Sequence, residues 1–112
     1  MALQVFGTRK CPDTRKAERF LKERGVAYQF IDLAEKGMSP GELRSVAAAA
    51  GGLDALVDRE GERYRKRGLA YMELDLEEEL VADPLLLRRP ILRDGRRAVV
   101  GDAPEEWKRL LG

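Results

Sequence analysis

Histidine is absent from this 112-residue chain, and cysteine occurs once, at Cys11. Without an imidazole the chain has no histidine base, and it cannot form the mixed cysteine–histidine zinc sites of many small domains. A single cysteine cannot form an internal disulfide, which favours a reducing compartment over a secreted, disulfide-stapled protein. We therefore predict no metal site, and any thiol redox cycle must involve a second molecule.

Long apolar runs are also missing. No segment approaches the roughly 18 consecutive apolar residues of a membrane span, and Met1 to Gly7 is too short for the apolar core of a signal peptide. The 21 basic and 20 acidic residues leave a formal net charge of +1, so overall charge indicates no binding to nucleic acid or membranes. These features predict a cytoplasmic protein with one domain, residues 1–112.

The first third of the chain has a strand–helix–strand pattern. Leu3 to Phe6 is a short apolar run closed by Gly7, which is typical of a buried strand. Pro12 suits the first turn of a helix, and Gly25 suits the end of that helix. Val26 to Leu33 follows as a second strand, so this unit predicts two parallel strands joined by a helix.

A helical segment is predicted from about Ser39 to Leu87. Ser39 to Glu42 is a capping box with proline at the first helical position, and it opens the first helix of this segment. Leu53 to Val57 and Leu74 to Leu87 favour short helices. The charged stretch from Arg59 to Arg67 is predicted to be a loop or the edge of a helix.

The end of the chain predicts a hairpin and a final helix. Ile91–Arg93 and Ala98–Val100 flank Asp94-Gly95, a hairpin signal. Asp102, with Glu105 three residues later, is predicted to cap the last helix. The element order is then β-α-β, a helical insertion at about residues 39–87, and β-β-α. This order predicts an α/β fold with a thioredoxin-like mixed four-stranded sheet, one half parallel and the other antiparallel.

Cys11 immediately precedes Pro12 and so lies at the predicted start of the first helix. Unpaired N–H groups and the helix dipole favour a thiolate there and can also bind an oxyanion. Four basic residues surround this position: Arg9, Lys10, Arg15 and Lys16. The hydroxyl of Thr14 is predicted to donate a hydrogen bond to the sulfur. The alternative is a buried, inert cysteine, as free cysteines often are, but the polar and charged neighbours favour a reactive thiol.

Three segments match a known family pattern in the right order. The first runs from Gly7-Thr8 through Cys11-Pro12-Asp13-Thr14 to Val26. The others are Leu56-Val57-Asp58-Arg59-Glu60-Gly61 with Tyr64-Arg65-Lys66, and Arg89-Pro90-Ile91-Leu92 with Gly95 and Val100-Gly101. In these segments the chain resembles the ArsC/Spx family of arsenate-reductase-like proteins. The resemblance spans nearly the whole chain and implies a thioredoxin-like fold with a helical insertion.

The resemblance also implies a chemistry. In arsenate reductases of this kind the cysteine attacks arsenate, glutathione forms a mixed disulfide with it, and a glutaredoxin resolves that disulfide. By this resemblance Cys11 is the nucleophile, Arg89 binds the oxyanion, and Pro90 is a cis-proline beside the thiol. Arginine suits this role because its planar guanidinium can pair two oxygens at once. An external thiol such as glutathione is then expected, with no tightly bound cofactor.

The chain departs from the reductase pattern at two places where the family has an arginine: it has Asp58 at the first and the segment Val100-Gly101-Asp102 at the second. Arg59 and Arg97 are the nearest arginines, and they substitute only if the loops place them in the pocket. Each lost arginine removes charge-assisted hydrogen bonds, worth about 1.5–3 kcal/mol each. The predicted substrate-binding residues are Arg89, Thr14, Arg15 and Arg59.

Two functions of different classes remain open. The first is an enzyme, a thiol-dependent reductase acting on an oxyanion or a mixed disulfide with glutathione or glutaredoxin as reductant. The second is a non-enzymatic regulator similar to Spx that binds the α-subunit of RNA polymerase, without direct binding to nucleic acid. Many Spx proteins have a second cysteine three residues after the first. Thr14 occupies that position here, so an internal disulfide switch is impossible.

Overall fold

The computed structural model describes residues 3–112, and within them a mixed sheet forms the centre of the molecule. Its strands are β1 (Leu3–Gly7), β2 (Gln29–Asp32), β3 (Ile91–Asp94) and β4 (Arg97–Val100). Their order across the sheet is β2-β1-β3-β4. β1 pairs parallel with β2 and antiparallel with β3, and β3 pairs antiparallel with β4. The predicted mixed sheet of four strands is confirmed.

Helices cover both faces of this sheet. The α-helices of the described residues are α1 (Pro12–Glu23), α2 (Pro40–Ala50), α3 (Glu62–Lys66), α4 (Leu76–Ala82) and α5 (Pro104–Leu111). Three 3-10 turns, Leu53–Leu56, Leu69–Tyr71 and Pro84–Leu86, lie between them. Helices α2 to α4 and these turns make up the predicted insertion between β2 and β3. None of the helices in residues 3–112 is both long and apolar enough to cross a membrane.

The sheet separates two apolar layers. Val5 and Phe6 are neighbours on β1 and therefore point to opposite faces of the sheet. The Val5 face is covered by α1 and α5, with buried residues Ala17, Leu21, Trp107 and Leu110. The Phe6 face is covered by the insertion, with buried residues that include Leu43, Val46, Leu56, Leu80 and Leu86. Because β1 is buried on both faces, its sequence is a nearly continuous apolar run.

Two helices begin in different ways. The N–H of Glu42 donates to Ser39 Oγ at 3.1 Å, and the N–H of Ser39 donates to Glu42 Oε1 at 3.0 Å, which is the predicted capping box of α2. The predicted cap of the last helix is wrong, because α5 begins at Pro104 with no side-chain cap hydrogen bond. Asp102 instead pairs with Lys16 Nζ at 3.0 Å. Pro104 has no N–H to satisfy and a fixed φ, so it starts a helix without a capping oxygen.

Three features of the secondary structure differ from the predicted ones. The strand predicted from Val26 begins only at Gln29, because the N–H of Val26 still closes the end of α1 by donating to the carbonyl of Leu21 at 3.0 Å. The charged stretch predicted as loop or helix edge contains α3. In the hairpin, Asp94 pairs with Arg97, so the turn lies one residue later than Asp94-Gly95.

Candidate functional site

Cys11 is the N-cap residue of α1, on the loop that leaves β1. Its carbonyl accepts a hydrogen bond from the N–H of Arg15 at 3.1 Å, and its own N–H donates to the carbonyl of Thr8 at 3.2 Å. The side chain makes no capping hydrogen bond and is half-buried. The thiol therefore lies where unpaired helix N–H groups stabilise negative charge, as the position before Pro12 predicted.

Thr14 is fully buried in the first turn of α1. Its Oγ1 has no hydrogen-bond partner within residues 3–112, so the predicted hydrogen bond to the sulfur of Cys11 is not formed. The side chain instead packs against Gly7, where a Cβ would lie 2.4 Å from Thr14 Oγ1. Thr14 holds α1 against the end of β1. The structure thus places this predicted substrate-binding side chain in the interior of the protein.

An open cleft of about 710 Å³ adjoins the Cys11 loop. Residues 8–10, which immediately precede Cys11, form one part of its wall, and residues between Asp32 and Glu35 form another. The two segments meet because β1 and β2 are parallel and Gly7 is in register with Asp32, so the loops that follow both strands lie at the same edge of the sheet. Helix α3, Arg67, Leu85 and Arg89 complete the lining.

Arg89 enters the cleft from the segment that precedes β3. The peptide bond between Arg89 and Pro90 is cis. The carbonyl of Pro90 accepts a hydrogen bond from the N–H of Gly101 at 2.7 Å, which ties this segment to the loop after β4. Nη2 of Arg89 lies 3.7 Å from Asp58 Oδ2, and the arginine side chain is 21% exposed. The fold thus brings Arg89 to the same cleft as the loop that carries Cys11.

Arg59 is not in this cleft. Its Nη2 pairs with Asp54 Oδ1 at 2.6 Å, and its Nη1 donates to the hydroxyl of Tyr64 at 3.1 Å. These contacts hold the guanidinium in a separate depression of about 340 Å³. The structure thus places Arg59, a predicted substrate-binding residue, outside the cleft that Arg89 lines. Arg15, also predicted to bind substrate, is exposed on α1 and lies outside the cleft lining.

Arg97 lies at the opposite end of the hairpin. Its Nη2 pairs with Asp94 Oδ2 at 2.8 Å and donates to the carbonyl of Leu110 at 2.9 Å. The guanidinium therefore binds the end of α5. Of the predicted substrate-binding arginines Arg15, Arg59 and Arg89, only Arg89 lines the cleft formed by the described residues.

Helix α3 and Arg67, the residue that follows it, contribute to the cleft side chains that the sequence pattern did not reveal. Glu62, Arg63, Lys66 and Arg67 all line the cleft. Arg63, Lys66 and Arg67 have the i, i+3 and i+4 spacing that places side chains on one face of a helix, and this spacing can be read from the sequence. Because most residues of this stretch are charged, it has no apolar stripe from which a helix could be recognised in the sequence. No cluster of three or more acidic or cysteine side chains within residues 3–112 could hold a metal ion.

A sequence model of the ArsC family matches residues 6–110. The chain belongs to the ArsC family. It is 32% identical over 114 residues to the uncharacterized protein YusI of Bacillus subtilis (strain 168), covering 96% of this chain and 97% of YusI. It is 28% identical to the global transcriptional regulator Spx 2 of Oceanobacillus iheyensis, covering 99% of this chain and 84% of that protein. The resemblance to the ArsC/Spx family is confirmed.

Solved structures agree with this ArsC-family assignment. The YffB (PA3664) protein superposes with a TM-score of 0.86 at 30% identity, covering 99% of this chain and 100% of that one. An arsenate reductase from Vibrio cholerae superposes with a TM-score of 0.83 at 25% identity, covering 97% of both chains. The predicted thioredoxin-like α/β fold is confirmed by these matches and by the sheet order.

Proposed function

We propose that this ArsC-family protein is a thiol-dependent reductase in which Cys11 is the nucleophile. The observation that carries the proposal is the position of Cys11 as N-cap residue of α1, beside an open cleft that contains Arg89. A helix N-terminus stabilises the thiolate, which is the reactive form of cysteine. The structural similarity to an arsenate reductase supports the same reaction class.

The reaction with a mixed disulfide R–S–S–R′ needs two thiols. The Cys11 thiolate attacks one sulfur, the S–S bond breaks, and R′S⁻ leaves and takes up a proton. A second thiol then attacks the Cys11–S–S–R disulfide and regenerates the Cys11 thiolate. Because the chain has one cysteine, that second thiol must come from another molecule, for which glutathione or a glutaredoxin is the proposed reductant.

The reaction with an oxyanion such as arsenate uses the same groups. Cys11 displaces water to form a sulfur–arsenic bond, and glutathione then attacks the Cys11 sulfur. Arsenite leaves, and a Cys11–glutathione disulfide remains, so two thiols supply the two electrons. Arg89 is the proposed group that binds the oxyanion, or the carboxylate of the thiol. The proposed location is the cytoplasm, where low-molecular-weight thiols are abundant and reduced.

The proposal is tested by comparing wild type with Cys11→Ser. Turnover is measured with glutathione, glutaredoxin and either arsenate or a glutathionylated peptide as substrate. We expect Cys11→Ser to lose turnover completely, because serine is not a comparable nucleophile at neutral pH. The absence of Cys11-dependent turnover with both substrates would contradict the reductase function.

A second candidate is a regulator that binds the α-subunit of RNA polymerase. The similarity to Spx 2 over 99% of this chain favours it. A pull-down of purified α-subunit by the reduced protein and by the protein oxidised with a small disulfide tests this function. Failure to bind in both states would rule it out, and a Cys11→Ser variant shows whether binding depends on the thiol.

A further inference from the structure

The cationic side chains of the cleft are mostly neutralised by the protein's own carboxylates. Six cationic residues line it: Arg9, Lys10, Arg63, Lys66, Arg67 and Arg89. Four of these form ion pairs within the described residues: Arg63 with Asp83, Lys66 with Glu62, Arg67 with Glu79 and Asp83, and Arg89 with Asp58. An oxyanion that binds any of these four cations would have to compete with a carboxylate that is already paired with it.

Asp58 is the carboxylate that faces Arg89. Its Oδ2 lies 3.7 Å from Arg89 Nη2, and its side chain is only 31% exposed. Water and salt screen a partly covered pair less than an exposed one. An oxyanion bound to Arg89 would therefore lie close to the negative charge of Asp58.

Gly61 makes room for this carboxylate. A Cβ on Gly61 would lie 2.4 Å from Asp58 Oδ2 and 2.8 Å from its Cγ. The backbone of Gly61 has φ −75° and ψ 157°, which any residue adopts, so glycine is not needed for its conformation. Glycine fits at this position because any side chain would overlap the carboxylate of Asp58. The carboxylate of Asp58 thus has a defined position between Gly61 and Arg89.

We propose that Asp58, packed on Gly61, determines specificity by placing its negative charge beside the guanidinium of Arg89 and thereby excluding free tetrahedral oxyanions, which leaves disulfides as the substrates of Cys11. The proposal rests on the reductase function and selects one of its two substrate classes. A disulfide carries no charge at its reacting sulfurs, so thiolate attack on it needs no unpaired arginine. The bonds formed and broken are those given above for R–S–S–R′, with an external thiol as reductant.

Oxyanion binding tests this proposal without requiring turnover. The reduced protein is titrated with sodium arsenate by calorimetry, and protection of Cys11 from iodoacetamide is followed in parallel. We expect no saturable arsenate binding by wild type and at least about tenfold tighter binding by Asp58→Asn, which keeps the size of the side chain and removes its charge.

Two further variants make the test specific. Gly61→Ala keeps the net charge but pushes the carboxylate away from Arg89, so we expect it to gain arsenate binding in the same direction. Asp54→Asn makes the same chemical change beside Arg59, outside the cleft, and should gain nothing. Circular dichroism verifies that each variant is folded. The proposal fails if wild type binds arsenate as tightly as Asp58→Asn, or if neither Asp58→Asn nor Gly61→Ala gains binding.

Disulfide turnover separates this proposal from the reductase function. If Asp58→Asn gains arsenate binding while no form of the protein reduces a disulfide, the role of Asp58 stands and the reductase function fails. If wild type reduces disulfides and also binds arsenate as tightly as Asp58→Asn, the reductase function stands and the role of Asp58 fails.

Discussion

Thr14 packs so closely on Gly7 that a Cβ on the glycine would lie 2.4 Å from Thr14 Oγ1 and 2.5 Å from Cγ2. Gly7 ends β1, and Thr14 lies in the first turn of α1. The contact between these two residues therefore holds together the two ends of the loop that carries Cys11. This contact positions the loop that carries the thiol relative to the sheet.

The first prediction is that Gly7→Ala destabilises the protein. The added methyl group overlaps Thr14 in a fully packed place, and overpacking of this kind costs typically about 1–3 kcal/mol. Urea unfolding measures the change in the free energy of unfolding. Gly41→Ala is the matched control, because its Cβ would meet nothing within 4 Å.

A double variant tests whether Thr14 is the cause. In a Thr14→Ala background the atoms that clash with the new methyl group are gone, so Gly7→Ala should lose most of its effect. An equal loss of stability in both backgrounds would show that the Gly7–Thr14 contact is not responsible.

The second prediction concerns Arg89 and Arg59, which the sequence alone predicts equally as substrate-binding residues. We expect Arg89→Gln to lower kcat/KM for disulfide reduction by roughly tenfold or more, because it removes a cation that lines the cleft beside the Cys11 loop. Arg59→Gln makes the same change in the separate depression and should alter kcat/KM less than about twofold. Steady-state kinetics with both variants measures this, and equal losses would contradict the assignment of the cleft.

The third prediction is a pH effect at Tyr28. Burial, together with the hydrogen bond that its hydroxyl donates to Glu18 at 2.7 Å, raises the pKa of Tyr28 from 10.0 to about 12. The folded state therefore keeps a proton that the unfolded chain has begun to lose, so this contribution to stability is complete below pH 10 and is lost between about pH 10 and 12.

Tyr28→Phe removes this titration. We expect the free energy of unfolding to fall less steeply with pH in the variant than in wild type above pH 10. Urea unfolding at a series of pH values gives both slopes, and parallel curves would show that Tyr28 does not contribute.

The fourth prediction compares two helix starts. Ser39→Ala removes the side-chain acceptor of the capping box and should destabilise the protein by about 1 kcal/mol. Asp102→Ala removes only an exposed ion pair with Lys16, worth about 0–1 kcal/mol, since Asp102 does not cap α5. Thermal and urea unfolding of both variants test this. A larger loss for Asp102→Ala than for Ser39→Ala would reverse the assignment.

These two helix starts also show where sequence reasoning succeeded and where it failed. The residues of the capping box are three positions apart, so Ser39 and Glu42 meet whenever the helix forms, whatever the rest of the chain does. Asp102 and Glu105 have the same spacing, yet Asp102 binds Lys16, which is 86 residues away in the sequence. A local pattern cannot show that a distant partner competes for the same side chain.

The residues of the candidate site also fall into those that local sequence placed correctly and those that only the tertiary structure placed. The placement of Cys11 followed from Pro12 and the adjacent pattern of apolar residues, which are local features. The exclusion of Arg59, and the burial of Thr14, depended on contacts made by other elements. The contribution of α3 was missed because a short, charged helix has no apolar periodicity, and it becomes visible only where it faces the loops after β1 and β2.

By itself the sequence determined the amino-acid composition of this protein and the order of its secondary-structure elements. A single cysteine requires a second molecule for any thiol redox cycle, and the order of apolar runs and helix signals predicts the mixed sheet. Only the tertiary structure decided which charges neutralise one another, above all that Asp58 faces Arg89. The reason is physical: helix starts and strands depend on neighbours along the chain, whereas electrostatic pairing depends on distances that folding creates between separate segments.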